Sequence, residues 1–306
     1  MSPVDSAPRQ EQGAPSATGE TLAADAPAQA PEPTAGSSAV EQSAGYFPLH
    51  VHAAWDETPT LRGLRLRGPA ELLQQYRTPG QYLELVHSDA GSGFFALAAA
   101  PREAQGVAAA PLSELELLIR HGPGLAGVLA ALQPAERAHE TYDSPPPEPA
   151  PAAAAPTPPI LMLRTPGVRG RGFALSQLGG RDLLLVAAGS GIAPLRAVLQ
   201  LLRTQRQQFG RVALYYGERT ESDLAYRREL EALRDAGVDV EPVLSRPPLG
   251  WAGGSGYVQH YLRLRPPPWL GPNTVALLCG QSAMVSEVTA LLRQHAVPLS
   301  QILMNY

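Results

Sequence analysis

The chain has 306 residues, and its 24 basic residues, all arginine, stand against 28 acidic ones for a formal charge of −4, which excludes the cationic field that nucleic acid or an anionic membrane requires. A single cysteine, Cys279, excludes a disulfide framework, a four-thiolate zinc site and a fused plant-type iron–sulfur domain. The lack of lysine excludes a Walker-type phosphate lysine and Schiff-base chemistry, and the scattered histidines offer no metal-ligand spacing.

In chain order, residues 1–45 are rich in Ala, Pro, Ser, Gln and Glu, with six acidic side chains against Arg9. Such a stretch cannot bury enough apolar area to offset its ordering entropy, so it reads as a disordered tail. No secretory h-region follows Met1 and no apolar run approaches the ~20 residues that span a bilayer, so the expectation is a cytoplasmic protein without a membrane span. Strand-like runs follow at 61–68, 82–88, 94–100 and 115–122, bounded by Gly, Pro, Ser and Asp, with a short helix at 125–132. That spacing predicts a small antiparallel barrel or sandwich. Residues 145–159 contain eight prolines and read as a polyproline spacer.

Beyond the spacer the pattern changes. LLLVAA (183–188), VALYYG (212–217), VDVEPVLS (238–245), TVALLCG (274–280) and SQILMNY (300–306) alternate with helical stretches at 194–207, 222–237, 257–264 and 282–297. Continuous apolar strands separated by helices predict a doubly wound parallel sheet.

Two strand ends carry the chemistry. At the first, Gly189, Ser190, Gly191, Ile192, Ala193 and Pro194 leave an apolar strand and open a helix. Glycines let the backbone approach a ligand, and free N–H groups with the helix dipole favour an anion. A pyrophosphate cradle and a tight turn without a ligand both fit this pattern. At the second, Cys279, Gly280, Gln281 and Met284 follow another buried strand. Ligands of open α/β sheets bind outside the carboxyl ends of the strands. A free cysteine there is equally a small buried hydrophobe.

Four ordered motifs, AGSGIAPLRAVL, YYGERTESDLAYRREL, LSRP…W.GG.GYV and CGQSAMVSEVTALL, resemble the pyridine-nucleotide half of the ferredoxin–NADP⁺ reductase superfamily across roughly 180–306. Upstream, Thr78-Pro79-Gly80-Gln81-Tyr82 resembles the family's PGQ(F/Y) strand, Phe95 to Pro101 its flavin strand, Gly122 to Ala126 its flavin-phosphate turn, and Gly170 to Phe173 the segment that closes its barrel. The resemblance implies a disordered tail at 1–45, a flavin-binding β-barrel over 46–175 interrupted by the insertion at 145–159, and a doubly wound nucleotide domain over 176–306. It implies FAD and NAD(P)H as cofactors, hydride transfer from nicotinamide to flavin, and a separate small-molecule or protein electron acceptor.

Residue by residue, the resemblance puts pyrophosphate on Gly189, Ser190, Gly191, Ile192, Ala193 and Pro194. Gly217, Glu218 and Arg219 line the nucleotide groove, and Ser245, Arg246 and Tyr257 fall where NADP⁺-using relatives hold the 2′-phosphate. Cys279 and Gly280 approach the nicotinamide, with Gln281 and Met284 behind them. Tyr82, Phe95, Ala96, Leu97, Ala98, Gly122, Gly124, Leu125 and Ala126 serve the flavin. Tyr306 either stacks on the flavin or packs as a strand-end tyrosine. The sequence departs from the family's Arg-x-Tyr-Ser/Thr flavin strand, having Gly93, Phe94, Phe95 and Ala96. An aromatic survives, but the phosphate's arginine and the hydroxyl do not. A non-catalytic NAD(P)-binding or sensor module without flavin is therefore the second reading.

Overall fold

The computed structural model describes residues 45–101, 114–132 and 161–305. The expectations for the N-terminal tail, the proline spacer and Tyr306 lie outside the described residues.

The first sheet is antiparallel and made from β1 (Phe47–Thr58), β2 (Leu61–Arg67), β3 (Tyr82–His87), β4 (Gly91–Ala96), β5 (Leu115–Arg120), β6 (Met162–Thr165) and β7 (Val168–Arg169). Its order is β4-β3-β6-β1-β2-β5, with β7 beside β3. The sheet curls until Leu97, just past β4, bridges Leu117 on β5. It is barrel-like without being closed. Two short helices, α1 (Ala70–Leu73) and α2 (Leu125–Ala130), accompany it, and inward leucines such as Leu49, Leu64, Leu66, Leu83, Leu85 and Leu117 fill it.

The sequence gives no clean signal for β1. Its segment FPLHVHAAWDET buries only Leu49, Ala54 and Thr58. Register shifts between Val51 and Ala53 and between Asp56 and Thr58 break the period of two. The PGQ motif has a local structural task. The Gln81 side-chain oxygen accepts from the N–H groups of Arg77 (2.9 Å) and Thr78 (3.0 Å), while its amide donates to the Gly170 carbonyl at 3.1 Å. The motif is thereby tied to the 170–173 segment, whose Phe173 N–H donates to the Pro79 carbonyl at 2.7 Å.

The second sheet is wholly parallel. It contains β8 (Asp182–Ala188), β9 (Val212–Glu218), β10 (Asp239–Leu244), β11 (Gly254–Ser255), β12 (Thr274–Cys279) and β13 (Ile302–Met304), in the order β11-β10-β9-β8-β12-β13. Helices α3 (Ile192–Gln205), α4 (Arg227–Asp235), α5 (Val258–Leu264) and α6 (Ser282–Gln294) connect these strands. Strand order reverses at β8, between β9 and β12, and that switch point is where a crevice opens at the carboxyl ends.

The helix expected at 222–237 starts five residues later, at Arg227. Thr220 and Asp223 form a capping box around a 3₁₀ turn at Glu221–Asp223. Tyr226 then takes a left-handed backbone (φ 59°), with its N–H donating to Glu57 Oε1 at 2.8 Å. A tie to the first sheet thus overrides local helix propensity.

The two sheets share one apolar seam. Leu61, Ala98, Ala100, Leu118, Phe173 and Leu175 pack in the same cluster as Leu183, Ile192, Leu195, Leu214 and Tyr216. Through this seam runs one cation. The Arg196 side chain, 12% exposed, meets Glu116 of β5 at 2.8 Å and Glu229 of α4 at 2.6 Å. It also donates to the Ala98 carbonyl at 3.0 Å and lies 4.2 Å over the Tyr226 ring. Burial alone would lower the Arg196 pKa, but Glu116, Tyr226 and Glu229 outweigh it and hold the guanidinium charged.

Breaking a buried ion pair by removing one partner typically costs about 3–5 kcal/mol. Arg196→Met should therefore lower unfolding stability by roughly 3 kcal/mol in urea melts. A loss below about 1 kcal/mol would mean that Arg196 contributes no more to the junction than an exposed ion pair does.

Candidate functional site

The crevice is built by strand geometry. In parallel register, Ala187 of β8 pairs with Cys279 of β12, and Ala188 pairs with Gly217 of β9. The chain leaves β8 through a 3₁₀ turn at Gly189–Gly191 and enters α3, whose Pro194 occupies the first turn, where its missing N–H has no intrahelical acceptor to lose.

The two strand tips touch. A Cβ on Gly191 would stand 2.2 Å from the Cys279 carbonyl oxygen, and one on Gly280 would stand 3.1 Å from Ala188 Cβ. At Gly191, where the obstacle is backbone, only glycine permits this approach. The third tip is fastened alongside, since the N–H groups of Ser245 and Arg246 donate to the carbonyls of Glu218 (2.9 Å) and Arg219 (2.8 Å).

The second-sheet candidates therefore converge on one carboxyl edge. Gly189, Ser190, Gly217, Ser245 and Cys279 are half-buried on it, while Arg219, Arg246, Tyr257, Gly280 and Gln281 are exposed. Ile192, Ala193, Pro194 and Met284 are buried beneath and bear on the shape of the turn through packing. Tyr257 meets His260 edge-on, with ring centroids 5.7 Å apart.

On the first sheet the arrangement differs. Tyr82 and Phe94 meet edge-on at 5.9 Å on the outer face. Phe94 is 67% exposed. Phe95 packs against the core, and its ring stands 2.9 Å from where a Gly93 Cβ would be. Ala96 is half-buried, paired with Tyr82. Leu97 and Ala98 are fully buried, with their N–H groups donating to the Gln81 (3.0 Å) and Glu116 (2.8 Å) carbonyls. Gly122 and Gly124 are exposed in the turn before α2, where Leu125 is buried and Ala126 half-buried.

Sequence reasoning passes over one group at the site. Arg120 ends β5 and its Nη2 donates to Glu218 Oε1 at 2.9 Å, across the two sheets. The same guanidinium lies over Gly189, with Nη2 2.7 Å from where a Cβ would be. Arg120 Nη1 donates to Thr60 Oγ1 at 3.4 Å, and Thr60 Oγ1 donates to Asp223 Oδ1 at 3.1 Å. The available signal is an arginine closing the strand run LELLIR directly before the Gly122 turn.

Burial raises the Glu218 pKa, with Arg120 opposing it and Asp223 adding to it. Burial also raises Tyr216 beside it. For Asp223 burial acts upward, but hydrogen bonds from Thr220 and Thr60 outweigh it and the pKa falls. Burial pushes the Cys279 thiol up to about 11, against a hydrogen bond with Asn305.

Residues 185–290 match the model of the oxidoreductase NAD-binding domain. The structure resembles a ferredoxin NADP⁺ reductase from Neisseria gonorrhoeae, solved with bound FAD and NADP, at a TM-score of 0.60 and 20% identity over 86% of this chain and 100% of that one. This chain has the ferredoxin reductase fold. The sulfhydrogenase 1 subunit gamma of Pyrococcus furiosus is 33% identical over 127 residues, 40% of this chain and 42% of that protein. The fruit protein pKIWI502 of Actinidia deliciosa is 28% identical over 252 residues, 77% of this chain and 68% of that protein. This chain therefore spans less than half of the first relative and about two thirds of the second. The family model and these structural neighbours belong to the FAD- and NAD-binding oxidoreductases that include ferredoxin reductases and NADH-cytochrome b5 reductases. Among the described residues, no helix is long and apolar enough to cross a membrane.

Two measurements test this geometry. Gly191→Ala should lower the melting temperature by several degrees, because the clash is with the Cys279 backbone rather than with a flexible side chain. An unchanged melt would show that the tips do not touch. With its pKa near 11, the Cys279 thiol is protonated at pH 8. Alkylation by iodoacetamide should run on the order of a hundredfold slower than at a free cysteine and accelerate as pH rises. A rate matching free cysteine at pH 8 would refute the burial.

Proposed function

We propose that this chain is a flavin-dependent NAD(P)H oxidoreductase acting in the cytoplasm, with a flavin-binding half over 46–175 and a nucleotide-binding half over 176–306. One observation carries the reading: two glycine-bearing strand tips, at 189–191 and 279–280, meet in the switch-point crevice. The carboxyl edge beside these tips, at the start of α3, suits a pyrophosphate held by backbone N–H groups.

When both cofactors are bound, they supply hydride transfer from nicotinamide to flavin, and the protein supplies position and electrostatics. Gly189, Ser190 and Gly191 hold pyrophosphate through backbone donors. Gly217, Arg219, Ser245, Arg246 and Tyr257 border the adenosine end along the same edge. Cys279 bears on the nicotinamide end as a neutral thiol, which packs there without adding charge. Tyr82 and Phe94 offer aromatic surface to the flavin, and the Gly122–Ala126 turn offers backbone donors. Electrons then pass to a separate small-molecule or protein acceptor.

A second reading, an NAD(P)-binding or sensor module without flavin, draws on the donor set of β4. Gly93 and Ala96 provide neither cation nor hydroxyl, and the Phe95 ring covers Gly93. Without a charged hydrogen bond, flavin affinity falls by about one to two decades.

A visible spectrum with FAD titration, alongside NADH and NADPH oxidation with ferricyanide as acceptor, separates the two. Flavin absorbance and turnover at about 1 s⁻¹ or faster are expected. A protein that binds NAD(P)H but stays colourless with excess FAD would establish the second reading instead.

A further inference from the structure

The most exposed large apolar side chain among the described residues is Leu249, at 107% relative exposure. A tight turn presents it. The Trp251 N–H donates to the Pro248 carbonyl at 3.2 Å, and Gly250 holds φ +82° while Leu249 keeps a negative φ. That is a type II turn with Leu249 at its corner. Pro247 and Pro248 restrict the backbone before the corner. Trp251 anchors the backbone after it, since its indole Nε1 donates to the Gly254 carbonyl at 2.9 Å and its ring packs against the core. An apolar group that is already ordered loses little freedom when it is buried in an interface.

Beside this knob lies a hole. A groove of about 530 Å³ runs between α4 and β10, with Leu224, Leu230, Val240, Pro242 and Trp251 on its apolar side and Leu249 on its rim. Exposed leucines scattered singly are ordinary on protein surfaces. Here knob and hole belong to one patch.

The charges of the rim narrow what fits it. Arg227 and Arg234 stand among Glu221, Glu231 and Glu241. Arg227 meets Glu221 at 2.6 Å, and Arg234 donates to the Val240 carbonyl at 3.0 Å. A rim of both signs offers no field to nucleic acid or an anionic membrane, and no preference for a partner of one sign. It does suit its own copy. A two-fold contact sets each patch against itself, where a rim of one sign would repel.

We propose that the Pro248–Trp251 turn and the groove between α4 and β10 form a two-fold interface between copies of this chain, with Leu249 of each copy seated in the groove of the other. Cofactor binding plays no part in it. Turn and groove together supply about half of the roughly 20–30 residues that a standard interface uses on each side, so the dimer is a weak one, with a dissociation constant on the order of 10 µM.

Sedimentation velocity of the full chain between about 1 and 200 µM, either side of that constant, is the test. We expect a reversible monomer–dimer equilibrium, and Leu249→Asp should weaken it about a hundredfold or more, because two leucines leave the interface and two charges enter it. The melting temperature at the lowest concentration should stay within about 2 °C of wild type, since the side chain is fully exposed in a single copy. Should Leu249→Asp not fold, Leu249→Ser carries the comparison, with weakening of about tenfold or more expected. The seating is read by mixing Leu249→Cys and Glu231→Cys chains under copper phenanthroline oxidation. A disulfide between the two variants, identified by peptide mass, places the turn of one copy against α4 of the other. A chain that stays monomeric to about 200 µM leaves the groove to another protein or a small molecule and overturns the inference. A dimer that Leu249→Asp leaves intact overturns it too, as does a dimer lost in that variant but without the disulfide between positions 249 and 231.

Discussion

The arrangement of this protein depends on a buried guanidinium. Arg196 sits on α3, in a helix whose other inward positions are Ile, Leu, Val and Ala, and reaches two carboxylates and a carbonyl on separate elements. A charge removed from water is tolerated only when its hydrogen-bonding capacity is met, and here it is met from both sheets at once. Apolar contact along the seam is non-directional and supplies attraction without fixing an angle. The Arg196 fork is directional. It sets how β5 faces α3, and hence where Arg120, four residues along from Glu116, arrives over the glycine turn.

The crevice follows from topology in a similar way. Starting the parallel sheet at its centre, with β9 on one side of β8 and β12 on the other, sends successive helices to opposite faces and leaves the carboxyl tips uncovered. Close approach of those tips is then a matter of side-chain volume. Gly191 and Gly280 let the backbones meet, since a Cβ on Gly191 would run into the Cys279 carbonyl and one on Gly280 into the Met284 and Ala188 side chains.

Much of the second sheet was legible in the sequence because its central strands β8, β9 and β12 are buried on both faces and read as nearly unbroken apolar runs. The paired glycine tips were legible for the same reason: they close runs that end abruptly. The first sheet was harder to read. β1 carries two register shifts, and two of its interior-facing residues, Ala54 and Thr58, look unremarkable in sequence. β11 spans two residues, Gly254 and Ser255, with no strand pattern to detect. The delayed start of α4 depends on Glu57, 169 positions upstream of the N–H it accepts. Arg120 and Arg196 were missed at the site for a common reason. A charged residue in a largely apolar stretch has many explanations until its partner is known, and each partner lies far away in the chain.

The departures on β4 and the placement of Arg120 bear on one another. In this strand the Phe95 ring stands where a side chain at position 93 would begin, so restoring an arginine at Gly93 would require that ring to move. The loss of charge there is built into the packing of β4 and is not a single substitution on an otherwise unaltered surface. Meanwhile Arg120 brings a guanidinium to the switch-point crevice two residues before the Gly122 turn. Between the two sheets, one arginine thus answers to Glu218, Thr60 and the glycine turn together. Substitution at Arg120 consequently changes the electrostatics of the junction as a unit, because its partners belong to both sheets.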